Sequence, residues 1–156
     1  MIVVFFGQPG SGKTTLAKTI AQYRTLEKHN WRQEVHQIDG DDLRWLFNNT
    51  DYSKQGRLDN LKRASEIAAY LDYQGLDVVM SVVYPYKEAR EYLHKLCKDA
   101  KWIYLDYHED RGKNQFLVED FERPFEEKVL YLDTSANDVK ECIKQATNYI
   151  YGEDIL

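Results

Sequence analysis

Short apolar runs punctuate the chain, and helical periods fill most of the intervals between them. Ile2-Val3-Val4-Phe5-Phe6 is continuous and β-branched, the pattern of a strand buried on both faces. Thr15 to Lys28 sets Leu16, Ala17, Ile20 and Ala21 at spacings of three and four, which predicts a helix. Apolar and polar residues alternate from Glu34, predicting a second strand over Val35 to Asp39 that ends in the loop Gly40-Asp41-Asp42. A short helix is expected over Leu43 to Phe47, with Asp41 or Asp42 at its N-terminus, where carboxylates are favoured. Asn48 to Ser53 is a polar loop. From Gly56 to Gln74, Leu58, Leu61, Ala64, Ile67, Ala68 and Leu71 form the stripe of a long helix closed by Gly75. Asp77 to Val83 reads as a third strand, Pro85 as punctuation, and Lys87 to Lys98 as a helix. Trp102 to Asp106 and Val129 to Asp133 are the remaining strands, separated by a charged surface excursion over His108 to Glu127. Ser135-Ala136-Asn137-Asp138 resembles a capping box for a last helix running to Tyr151, before Gly152.

Strands alternating with helices imply an α/β fold, a five-stranded parallel sheet between two layers of helices with right-handed crossovers. The expectation is a single domain over residues 1–156. In such sheets ligands sit beyond the carboxyl ends of the strands. That edge gathers Gly7 to Thr14, Asp39 to Arg44, Ser81 to Tyr86 and Asp106 to Lys113.

The first of these carries the sharpest chemistry. Gly7-Gln8-Pro9-Gly10-Ser11-Gly12-Lys13-Thr14 is a complete G-x-x-x-x-G-K-[ST] phosphate loop, set between a predicted strand and a predicted helix as the motif requires. Its glycines let backbone N–H groups turn inward around an anion, and the helix N-terminus adds partial positive charge. Lys13 would reach the outer phosphates of a nucleoside triphosphate, and the Thr14 hydroxyl would hold Mg²⁺.

Composition narrows the partners. The chain has 156 residues, 43% hydrophobic and 30% charged, and no apolar run approaches the ~20 residues of a membrane span. The N-terminal run lacks a basic leader and opens the phosphate loop, which argues against a signal peptide. A net charge of −5 and the lack of a basic stripe argue against nucleic acid as acceptor. Cys97 and Cys142, without CxxC spacing, read as buried helix residues in a reducing compartment. His29, His36, His94 and His108 have no ligand spacing and read as structural or surface residues. The share of Tyr, 12 residues, suggests that some rings form binding surfaces.

Phosphoryl transfer needs a metal, cations around the phosphates and a group to take the acceptor's proton. Asp39, Asp41 and Asp42 stand together at the end of the second strand, where helix capping needs only one of them. Asp41, beside Gly40, is the candidate for the hydroxyl proton. Arg44, Arg57, Lys62 and Arg63 cluster around the polar loop, each of them a ligand or a surface charge. Tyr52 could stack on a nucleobase or pack on the sheet edge.

Four motifs in register then resemble the adenylylsulfate kinase family. They are Gly7 to Thr15 for G-x-x-G-x-G-K-[ST]-T, Asp39-Gly40-Asp41-Asp42-Leu43-Arg44 for D-G-D-N-x-R, Tyr52 to Arg63 for F-S-x-x-D-R-x-x-N-x-x-R, and Ser81 to Lys87 for S-x-x-S-P-Y-R. Order and spacing hold from Ile2 to about Leu96. The resemblance implies transfer of the γ-phosphoryl group of Mg-ATP to the ribose 3′-hydroxyl of adenylylsulfate, in a cytoplasmic enzyme that forms homodimers. It gives Asp41 the 3′-hydroxyl proton, with Lys13 as its catalytic partner. Gly7, Gln8, Pro9, Gly10, Ser11, Gly12, Lys13, Thr14 and Thr15 would bind ATP. Thr14 would take Mg²⁺, with Asp39 or Asp41 acting through water. Asp39, Arg44, Tyr52, Arg57, Asn60 and Ser81 would form the acceptor side, Tyr52 replacing a stacking Phe. The chain departs from the family at Asp42 for Asn, Gly56 for Asp, Tyr84 for Ser and Lys87 for Arg. Its lid shrinks to Arg111-Gly112-Lys113, with Phe121 or Phe125 as a second stacking partner. Two other readings stand beside this one: a P-loop kinase of another nucleotide, a nucleic-acid end or a small alcohol, and a nucleotide-binding module with degraded catalysis.

Overall fold

The computed structural model describes residues 1–27, 35–124 and 128–152. Its strands are β1 (Ile2–Phe6), β2 (Val35–Asp39), β3 (Asp77–Ser81), β4 (Lys101–Asp106) and β5 (Val129–Asp133). They pair in parallel in the order β2-β3-β1-β4-β5. The helices are α1 (Lys13–Glu27), α2 (Gly40–Leu46), α3 (Lys54–Tyr73), α4 (Lys87–Leu96) and α5 (Val139–Tyr151). Because successive strand residues face opposite ways, β1 feeds two cores at once. Val4 and Phe6 join Ile38, Met80, Tyr104 and the apolar stripe of α3. Val3 and Phe5 join Leu16, Ile20, Ile103 and the buried face of α5. The expected three-layer α/β architecture is therefore present, and β1 is its most completely buried strand.

Differences from the sequence reading arise at element ends. α1 starts at Lys13, two residues early, because the Gly12 carbonyl already accepts from the Leu16 N–H. Lys28 and His29 lie outside the described residues. α2 starts at Gly40, capped by Asp39, whose side chain accepts from the Asp41 N–H, so Asp41 and Asp42 occupy its first turn and not a loop. α3 starts at Lys54, capped by Ser53 through the Gly56 N–H, and α4 stops at Leu96. The cap of α5 is Asp138, bonded to the Glu141 N–H. The Ser135 and Ala136 N–H groups are taken by the Asp133 carboxylate, and the box expected at Ser135 lies three residues further on. β3 ends at Ser81, yet Val82 and Val83 stay bonded to the end of β1. Among its described residues the excursion after β4 contains one 3₁₀ turn, Asn114–Phe116.

Cys142 is buried in α5, while Cys97 caps α4 and is half-buried; both are free thiols. Tyr84, Tyr86 and Tyr104 are core residues, so the tyrosine surplus serves packing as well as the surface. Among the described residues no helix is long and apolar enough to cross a membrane.

Candidate active site

The phosphate loop leaves β1 at Gly7 and closes on α1. Its turns need positive φ at Gly7, Gly10 and Gly12. Gly10 has a second constraint: a Cβ there would lie 3.1 Å from Cβ of Lys113 and 3.2 Å from the Tyr107 hydroxyl, so the loop passes tight beneath its cover. Lys13 turns its ammonium inward, donating to the Gln8 carbonyl at 2.8 Å and approaching Oγ of buried Ser11 at 3.4 Å. Its stem keeps partial exposure while the charge is withdrawn from water. Burial lowers its pKa to about 8, and the Asp39 and Asp41 carboxylates act in the opposite direction. Thr15 is exposed in the first turn of α1.

Asp39 organises the strand ends. It is the register partner of Ser81 across β2 and β3, and this pairing puts the Ser81 hydroxyl 2.6 Å from Oδ2 of Asp39. The Thr14 hydroxyl donates to the same oxygen at 3.0 Å, while Oδ1 takes the Asp41 N–H at 2.9 Å. One carboxylate thus fastens α1, β3 and the first turn of α2. A cavity of about 270 Å³ opens beside it, lined by Thr14, Asp39, Asp41 and Ser81 and extending to Lys18 and Asp42. Asp42, which replaces the family's Asn, thus lines this flank. No group of three or more His, Cys, Asp or Glu among the described residues could hold a metal. Mg²⁺ needs no such cage, because it takes one or two protein oxygens and completes its shell with phosphates and water. Thr14 Oγ1 beside Asp39 Oδ2 is a donor set of that kind.

A second cluster forms between α2 and α3. Arg44 donates through Nη1 to the Asn49 and Asp51 carbonyls at 3.2 and 2.9 Å, and its guanidinium lies 4.1 Å from the Tyr52 ring centroid. Partial burial holds its pKa below the ordinary arginine value. Arg57 donates to the Tyr52 carbonyl at 2.9 Å and lies 5.6 Å from the same ring. Tyr52 is 60% exposed, so it stands clear of the sheet edge, flanked by two cations. Asn60 is buried, donates to the Gly40 carbonyl at 3.2 Å, and keeps Oδ1 without a hydrogen-bond partner. Gly56 is needed for space: a Cβ there would lie 2.3 Å from the Asp51 carbonyl oxygen and 2.4 Å from Cγ of Asp51. Lys62 and Arg63 leave this cluster, Lys62 approaching Glu66 and Arg63 covering the Phe47 ring.

The second half of the chain covers the loop. Tyr107 donates to the Pro9 carbonyl at 2.6 Å. Arg111 stacks on Tyr107, donates to the Gly10 carbonyl at 3.2 Å, and reaches the Thr134 carbonyl at 2.7 Å. Lys113 lies against Gly10, its ammonium 5.5 Å from the Phe116 ring. Arg111 and Lys113 thus lie beside the phosphate loop; Tyr107 falls inside the stretch Asp106 to Lys113 placed at the ligand edge but was not singled out, and Thr134 lies outside it. Phe121, offered as a second stacking ring, packs instead on Tyr104 in the core, centroids 5.9 Å apart. Phe125 lies outside the described residues. Tyr84 is fully buried, its hydroxyl 2.8 Å from Oγ of Ser65, and burial pushes its phenol pKa up. This departure therefore belongs to the core, not to the acceptor surface.

The family model for adenylylsulphate kinase matches residues 1–115. A probable adenylyl-sulfate kinase of Aeropyrum pernix is 30% identical over 97% of this chain and 91% of its own length. The cytidine diphosphoramidate kinase of Campylobacter jejuni is 31% identical over 69% of this chain and 62% of its own. The APS kinase of Mycobacterium tuberculosis, solved in complex with AMPPNP and APS, has the same fold, with a TM-score of 0.78 over 96% of each chain at 23% identity. With most of its length inside the family model and a 30% identical relative matched along nearly all of it, the chain belongs to the adenylylsulphate kinase family, phosphotransferases that act on an alcohol group.

Proposed function

We propose that this protein transfers the γ-phosphoryl group of Mg-ATP to the 3′-hydroxyl of adenylylsulfate. The observation that carries the reading is the Asp39 hub, which anchors the backbone of Asp41 in the same hydrogen-bonded unit as Thr14, next to the charge of Lys13. The main chain of Gly7 to Gly12 receives the β- and γ-phosphates, and Lys13 exchanges its Gln8 carbonyl for phosphate oxygens. Thr14 and Asp39 would hold Mg²⁺, which supplies neutralisation of the phosphoryl oxygens. Asp41 takes the proton as the acceptor oxygen bonds to phosphorus and the bond to the β-phosphate oxygen breaks, releasing ADP. Arg44 and Arg57 hold the acceptor's anionic groups, Tyr52 offers its ring to the base, and Asn60 Oδ1 accepts from a hydroxyl or amine. Arg111 and Lys113 cover the nucleotide. Residues 1–156 act as one kinase domain in the cytoplasm, and the homodimer implied by the resemblance is checked by sedimentation.

A second reading keeps the chemistry and changes the acceptor to a cytidine nucleotide carrying a phosphoramidate. It is favoured by the similarity to the Campylobacter jejuni kinase. An acceptor screen with radiolabelled ATP and Mg²⁺ separates the two. Label on adenylylsulfate is the expected result, and label on the cytidine nucleotide with none on adenylylsulfate would replace the first reading by the second.

A further inference from the structure

The carboxamide of Gln8 is bonded to the second half of the chain. Its Nε2 donates to the Val118 carbonyl and its Oε1 accepts from the Val118 N–H, both at 2.9 Å. A single side chain thus makes the paired bonds that a neighbouring strand would make. Val118 is buried, so these are groups that cost most when left unmade.

From Val118 the chain crosses to the other half of the site. Asp120 Oδ1 accepts from the Tyr86 hydroxyl at 3.2 Å. The Glu122 N–H donates to the Pro85 carbonyl at 2.8 Å, and its Oε2 accepts from the Lys87 N–H at 2.5 Å. Tyr86, the N-cap of α4, makes no capping bond with its own side chain, so Glu122 supplies the carboxylate that a helix N-terminus favours. Tyr86 in turn stands near two cations of α3. The Lys54 ammonium lies 4.9 Å from its ring, and the charge of Arg57 is near enough to act on its phenol. Gln8 also receives Lys13 on its carbonyl. Its main chain serves the phosphate side while its side chain, at one remove, braces the acceptor side.

We propose that Gln8 is a positioning residue for the acceptor: by holding the strap Val118–Glu122 it fixes the corner Pro85–Lys87 beside Arg57. The inference rests on the nucleotide-acceptor reading above and adds to it a part the phosphate-loop motif does not require, since the motif uses only the main chain at this position.

The test compares Gln8→Leu, Glu122→Ala and the double variant by steady-state kinetics and by hydrogen–deuterium exchange of the unliganded proteins. Gln8→Leu should raise KM for the accepted nucleotide about tenfold, the scale of a lost buried hydrogen-bonded pair, and shift KM for ATP less than about threefold. Glu122→Ala should give the same split, and the double variant should be no worse than the weaker single, because both cut one strap. Exchange should quicken at residues 84–88 as well as 116–122. Gln8→Glu supplies the rescue: a protonated carboxyl both donates to and accepts from Val118, whereas a carboxylate only accepts. Exchange at 116–122, expressed relative to the unaltered protein at the same pH, should therefore return toward the unaltered rate as pH falls toward the glutamate range. A rise in KM for ATP with KM for the acceptor unmoved, additive losses in the double variant, or exchange confined to 116–122 would overturn the proposal. Exchange needs no acceptor, so a failure to phosphorylate adenylylsulfate leaves the strap to be decided separately. Should Gln8→Leu fail to fold, Glu122→Ala carries both readouts.

Discussion

The two halves of the candidate site are built from different materials. The phosphate side is mostly main chain, bent by glycines, filled by a withdrawn lysine and roofed by Tyr107 and Arg111. The acceptor side is mostly side chains, from α2, α3 and the loop between them, with an exposed Tyr52 between two guanidinium groups. Main-chain geometry accepts any polyphosphate, whereas side-chain geometry distinguishes acceptors. On the proposed function, discrimination among acceptors would fall to the side chains around α2 and α3, and phosphate binding to the loop.

Lys13→Met is the change that should break the phosphate side outright. Transfer should fall by about 10³-fold or more, the scale of losing electrostatic stabilisation at a developing charge. The same substitution should raise Tm of the unliganded protein by removing a charge that burial disfavours, as differential scanning calorimetry would record. An unchanged or lower Tm would contradict the buried-charge account. Asp41→Asn is next, with kcat reduced about 10²-fold or more and ATP binding retained, read by label transfer beside calorimetric titration. On the acceptor side, Tyr52→Ala should raise acceptor KM by about tenfold, in line with the loss of one base–aromatic stack, and Tyr52→Phe should not. Equal losses in the two would shift the role of Tyr52 from its ring to its hydroxyl.

A pH dependence follows from the same lysine. Lys13 releases its proton near 8 when folded, but at the ordinary lysine value of 10.5 when unfolded. Between those values the unfolded chain binds more protons, so the contribution of Lys13 makes stability rise with pH across that window. Affinity for Mg-ATP should move the other way, declining as pH passes about 8, where the unliganded lysine loses its charge. Titrations from neutral pH upward, repeated with Lys13→Met as the flat control, separate this from general alkaline effects.

Strands and phosphate loop were legible because their information is local. A β-branched run announces β1, and the motif turns into a helix within a few residues. Asp39 and Arg44 could be placed on the ligand edge by topology alone. Other features depend on contacts that no local pattern encodes. Gln8 and Val118 are 110 residues apart, and nothing near either hints at the pairing. Tyr84 lies in the stretch Ser81 to Tyr86 expected at the ligand edge and proved to be core, where its φ is 43° and its ring packs on Trp102. The Ser135 hydroxyl accepts from the His108 N–H and caps no helix, and α5 starts instead from Asp138.

The close approach of Gly56 to Asp51 has a consequence for how this site can be altered. The resemblance puts an aspartate at position 56, yet here any Cβ at that position collides with both the backbone and the side chain of Asp51. The two positions are epistatic: an acidic residue at 56 is tolerated only after the loop at 51 has moved. A library that randomises position 56 with Asp51 held fixed should return glycine almost alone, and one that varies the pair together should open routes to new acceptors.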